Sequence, residues 1–85
     1  MYRNRSAPTA GAARPGPPLP PFGTVEEFKQ PWDVRIGDFL LLGHQYQRIR
    51  DMRAAGSSAR VLHFAGRPPL VMRTGRSVFR PVTYR

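Results

Sequence analysis

The chain has 85 residues, with thirteen arginines against a single lysine, five acids, a net charge of +9 and no cysteine. A chain this short holds one domain, which buries only about 60% of its unfolded surface, so a cleft with several convergent catalytic groups is hard to build and a non-enzymatic protein is expected. Without cysteine there is neither a disulfide framework nor a thiolate zinc site to add stability, and the longest aliphatic or aromatic run, Phe39-Leu40-Leu41-Leu42, is far short of the roughly 20 residues that cross a bilayer.

Residues 1–23 carry six of the ten prolines among small residues, a composition that buries too little apolar surface to offset its chain entropy. A disordered Pro/Gly/Ala-rich arm is expected there. Arg3 and Arg5 precede no apolar core of the kind that makes a secretory signal, so the expected location is cytoplasmic. The arm's centre, Arg14-Pro15-Gly16-Pro17-Pro18-Leu19-Pro20-Pro21, favours polyproline II and matches an Arg-x-x-Pro-x-x-Pro docking pattern, although a stiff spacer has the same composition.

Residues 24–31 read as a short helical connector. Thr24 is an N-cap residue, Glu26 and Glu27 stand in the first turn with Glu27 at capping-box spacing, and Pro31 ends the helix. Phe28 or Trp32 is then expected to lie against the domain, and Trp32, a lone tryptophan beside a proline, reads as a core lid ahead of a ligand platform.

Residues 32–85 alternate short apolar segments with turn residues, the pattern of an all-β domain. Five strands are expected, at 38–42, 46–53, 60–65, 70–73 and 78–84. They are separated by Gly43-His44, the loop 54–58, Gly66-Arg67-Pro68-Pro69 and Thr74-Gly75-Arg76. The two prolines at 68 and 69 are expected to break the sheet, and Pro81 to push the last strand to an edge. Period-2 alternation selects Leu62, Phe64, Leu70 and Met72 for the core, whereas Tyr46 and Ile49 fall out of phase and call for a bulge or two covered faces.

The opening Val34-Arg35-Ile36-Gly37-Asp38-Phe39-Leu40-Leu41, with its Gly-Asp turn before a strand, resembles the start of small SH3-like barrels of the KOW type. That resemblance covers roughly residues 33–84 and implies a small five-stranded barrel whose loops and one face bind a partner. SH3-like barrels bind RNA, DNA, peptides and neighbouring subunits alike, so it does not single out one function.

No catalytic or cofactor signature is present. Lys29, the one lysine, lies outside any phosphate-cradling glycine loop, His44 and His63 lack a carboxylate at ligand spacing, and no serine sits in a nucleophile elbow. No cofactor or metal is expected.

The arginines carry the binding expectation. Ten lie beyond Trp32 against three aspartates. Arg48 and Arg50 are two apart on one strand, with Arg53 at its end and Arg60 across the loop, so the four are expected to cluster where forked guanidinium donors meet phosphates. Arg67, Arg73, Arg76 and Arg80 supply a second patch, with Tyr46, Phe79 and Tyr84 as candidate stacking partners. Solvation of the sheet's outer faces, or a genome rich in arginine codons, accounts for the same residues without binding.

Two functions follow. One is a non-catalytic nucleic-acid-binding module, with DNA and RNA unresolved. The other is a protein-interaction or assembly component, of a mobile element or phage particle for instance, that uses Arg14, Pro17, Leu19, Pro20, Phe22, Phe28 and Trp32 to hold a protein partner or a second copy.

Overall fold

A computed structural model of the protein describes residues 18–82, and these form an all-β fold of seven strands in two antiparallel sheets. The strands are β1 (Thr24–Lys29), β2 (Phe39–Leu42), β3 (Gln45–Arg48), β4 (Asp51–Ala54), β5 (Arg60–Phe64), β6 (Arg67–Met72) and β7 (Arg76–Pro81), with one 3-10 turn at Pro31–Asp33. Sheet one has the order β1-β7-β2-β3 and sheet two the order β4-β5-β6, and the sheets do not close into a barrel.

The expected helix over 24–31 is a strand. Thr24 to Lys29 pairs with β7 along its whole length, from Thr24 opposite Pro81 to Lys29 opposite Arg76. One or two helical turns cannot offset their own nucleation cost, while Val25 and Phe28 are good strand formers, so tertiary pairing overrides the capping-box signal.

The other expected strands are present with changed roles. Segment 46–53 divides at Ile49 and Arg50, where the chain leaves sheet one for sheet two. The Ile49 N–H donates to the Asp38 carbonyl at 2.8 Å, and the next N–H, of Arg50, donates to the His63 carbonyl at 2.8 Å. Ile49 still follows the β2–β3 register of sheet one through Asp38, so Tyr46 and Ile49 fall out of phase because both faces of that sheet are covered: Ile49 enters the core, and Tyr46 packs against Phe79 on the far side. Pro68 and Pro69 lie inside β6 rather than breaking it, because β6 is an edge strand whose outer donors have no ladder to join. Pro81, by contrast, is the last residue of an internal strand, so the final strand is not the edge that its proline suggested.

The core joins the sheets. Leu40 and Val78 come from sheet one, Leu62, Phe64 and Met72 from sheet two, Ile49 from the crossing point and Val34 from the segment before β2; Leu42, Met52 and Leu70 pack against this cluster. Leu62, Phe64 and Met72 are buried and Leu70 partly so, as alternation requires. Each fully buried side chain of this kind contributes roughly 1.5–3 kcal/mol.

The far face of sheet one is covered differently. Phe79 pairs with Phe39 and is 7% exposed, the Tyr46 ring meets it edge-on at 5.0 Å, and the Tyr46 hydroxyl donates to the Pro18 carbonyl at 2.9 Å. The segment before β1 therefore runs back across this sheet as far as β3.

Candidate anion-binding site

The residues before β2 form a turn that the sequence builds locally. Gly37 has φ 101, a conformation that favours glycine, and the Asp38 N–H donates to the Arg35 carbonyl at 3.0 Å. In return the Arg35 N–H donates to Asp38 Oδ2 at 2.9 Å. The Gly37 N–H donates to the Ile49 carbonyl at 2.9 Å, which ties the turn to the point where the chain changes sheets.

Asp38 is the one charged residue buried among those described, at 2% exposure, and Arg80 answers it with a two-pronged contact. Arg80 Nε donates to Oδ1 at 3.0 Å and Nη2 to Oδ2 at 2.9 Å. The same Nη2 donates to the Asp33 carbonyl at 2.8 Å, and Nη1 stands 3.8 Å from Glu27 Oε1. The hydrogen bond with Asp38, reinforced by the charges of Asp38, Glu27 and Asp33, raises the Arg80 pKa despite its burial. Arg80 is thus a structural cation that closes one end of sheet one.

Beside this pair lies an open cleft of about 290 Å³ lined by Arg35, Ile36, Gly37, Asp38, Arg48, Arg80 and Pro81. Asp38 offsets Arg80. Arg35 and Arg48 are exposed, and no carboxylate among the described residues stands within salt-bridge distance of either. The cleft therefore has an excess of positive charge, carried by forked donors suited to a phosphate or carboxylate.

The expected four-arginine cluster does not form as one unit, because the change of sheet between Arg48 and Asp51 breaks the two-residue period that would have aligned it. Arg48 goes to the cleft and Arg50 stays exposed at the crossing point. Arg53 makes an exposed ion pair with Asp51 at 3.4 Å. Arg60, opposite Ala54 rather than Arg53, is half-buried and donates to the Ala59 carbonyl at 2.9 Å. The second patch divides too: Arg67 lies over the Phe64 ring at 5.9 Å, Arg73 is exposed just past the far end of β6, and Arg76 and Arg80 belong to sheet one. Tyr46 and Phe79 are engaged with each other rather than presented for stacking, and Tyr84 lies outside the described residues.

Of the residues expected to meet a partner, Arg14 and Pro17 also lie outside the described residues. Leu19, Pro20 and Phe22 are exposed. Phe28 is 66% exposed, with its ring over Gly75, where a Cβ would come within 2.6 Å of it. Trp32 is 53% exposed and so is no core lid; the buried residue of its turn is the neighbouring Pro31. Arg35 is the cleft residue that the sequence reading missed. Its signal was the Gly37-Asp38 turn, which brings residue 35 back over residue 38, but nothing local reveals that Arg48 and Arg80 arrive beside it.

His44 occupies the β2–β3 turn and His63 lies on β5 opposite Asp51. Among the described residues no group of three or more His, Asp or Glu is placed to hold a metal, and no helix is long and apolar enough to cross a membrane. No protein-family model, curated protein or solved structure matches the chain.

Proposed function

We propose that the protein is a non-catalytic module that binds nucleic acid through its phosphates, with the Arg35–Arg48 cleft as the anchoring point. In this reading the two sheets joined through Ile49 and Arg50 are the halves of an open SH3-like barrel, and the cleft sits on its rim. The observation that carries the reading is charge pairing. All five acids lie within the described residues, yet Arg53 and Arg80 are the only arginines there that stand within ion-pair distance of one. Arg35, Arg48, Arg50 and Arg73 remain exposed without such a partner. A surface of this kind draws polyanions and exchanges condensed counterions for guanidinium contacts.

The test is fluorescence anisotropy of the full chain with short labelled DNA and RNA between about 50 and 300 mM salt, a range in which counterion release is legible. Binding is expected to fall log-linearly with salt, and Arg35→Ala or Arg48→Ala to flatten the slope by roughly 0.7–0.9 each. A folded chain that binds nothing at low salt, or whose slope ignores both substitutions, overturns the reading.

A second reading, protein docking or assembly, is favoured by a different observation. Leu19, Phe22, Val25 and Phe28 are all exposed, on the segment leading into β1 and on β1 itself, which is one of the two edge strands of sheet one. Partner binding through them would survive salt that dissolves phosphate contacts.

A further inference from the structure

We infer that Trp32 is a stacking platform for an unpaired base, so that the module prefers single-stranded to duplex nucleic acid; this rests on the nucleic-acid reading above. Three observations converge on it. First, Trp32 is 53% exposed although it belongs to a tightly fixed turn. Pro31 on one side is buried, and Asp33 on the other is tied twice: its N–H donates to the Gln30 carbonyl at 2.9 Å and its carbonyl accepts from Arg80 Nη2 at 2.8 Å. The indole is thus presented to solvent from a backbone already ordered on both sides, which lowers the entropy cost of contact.

Second, the residue that clamps this turn is a wall of the cleft. Arg80 links the Asp33 carbonyl to Asp38, and Arg80 and Asp38 line the cavity together with Arg35 and Arg48. The turn that carries Trp32 is thereby fastened to a wall of the arginine cleft, and a single strand needs an aromatic surface and guanidinium groups together for one base and its neighbouring phosphate. Ile36, exposed at 58%, adds an apolar surface to the cleft wall itself. Third, among the described residues the two aromatics that the sequence put forward for stacking are spent elsewhere: Phe79 is buried and Tyr46 packs edge-on against it. A duplex keeps its bases stacked on one another and gains nothing from the indole, whereas a flexible strand can turn a base onto it.

Trp32 is the single tryptophan in the chain, so its fluorescence reports on this site alone. The experiment titrates the full chain with single-stranded oligothymidine, oligouridine and a duplex of equal length, following both tryptophan emission and anisotropy. Single strands are expected to quench the emission and to bind about tenfold more tightly than the duplex. Trp32→Ala is expected to weaken single-strand binding about tenfold while leaving duplex affinity and the salt slope unchanged, and Trp32→Phe to restore much of the loss. Binding with a normal salt slope but without quenching, or with an equal effect of Trp32→Ala on both forms, overturns the stacking assignment and leaves the phosphate reading intact. No binding of any nucleic acid by the folded chain overturns both and points to a protein as the ligand of this surface.

Discussion

Sheet two is a meander of consecutive strands, β4-β5-β6, in which each strand pairs with its neighbour in sequence and the stabilisation comes from Met52, Leu62, Phe64, Leu70 and Met72. Sheet one is assembled from both ends of the described chain, with β1 against β7 and β7 against β2, and it relies on a buried ion pair as well as on apolar packing. Local hairpins repay chain ordering with contacts made at once, whereas distant strands must first close a long loop. The difference teaches where specificity resides: sheet two is held by hydrophobic contacts that tolerate rearrangement, and sheet one by directional bonds to Asp38 that fix which strands meet. Both candidate binding features, the cleft and the Trp32 turn, belong to sheet one because the Arg80–Asp38 contact assembles them.

The sharpest way to break this contrast is to remove the carboxylate. Asp38→Ala leaves the Arg80 guanidinium largely buried without its partner and frees the Arg35 N–H, and it is expected to cost about 3–5 kcal/mol. Leu62→Ala in sheet two is expected to cost about 2–4 kcal/mol by transfer and cavity terms. Urea denaturation of both variants checks the ordering. If Asp38→Ala costs less than Leu62→Ala, the ion pair is an accessory to sheet one rather than its organiser.

A milder change sharpens the account of the far face of sheet one. Tyr46→Phe keeps the edge-on contact with Phe79 and deletes the hydroxyl bond to the Pro18 carbonyl, so a loss of about 1 kcal/mol is expected. Limited proteolysis should then cut faster on the segment before β1, and an unchanged cleavage rate would mean that this bond does not hold the segment to the sheet. The smallest effect is expected in sheet two. Arg53→Ala removes an exposed ion pair to Asp51 and should change stability by less than about 1 kcal/mol. A larger loss would show that sheet two also depends on directional charge contacts.

The legibility of the chain follows the same division. In sheet two, β5, the second half of β6 and three core positions could be read from alternation because their partners lie next to them in sequence, whereas β4 was merged with β3 and the prolines of β6 were taken as a break. The helix expected at 24–31 was misread because Thr24, Glu26 and Glu27 carry a strong local capping signal, while the residues that defeat it, Arg76–Pro81, are about fifty positions away. The arginine cluster was misread for a related reason. Arg48 and Arg50 look like one face of one strand, but the ladder changes partners between them.

The sequence by itself determined the all-β class, the placement of Leu62, Phe64 and Met72 inside, the tight turns at Gly37 and Gly43, and a cationic surface that five acids cannot neutralise. These follow from composition, two-residue periodicity and backbone preference, all of which act over a few residues. Only the tertiary structure decided that Arg80 is a structural cation rather than a surface one, that Arg35 and Arg48 share a cleft, and that Trp32 faces solvent. The role of Arg80 and the exposure of Trp32 beside it depend on pairing β7 with strands far from it in the chain, and the cleft depends on the register of the β2–β3 hairpin, which sets Arg48 beside the turn at Arg35; contacts of both kinds lie beyond the reach of a local pattern.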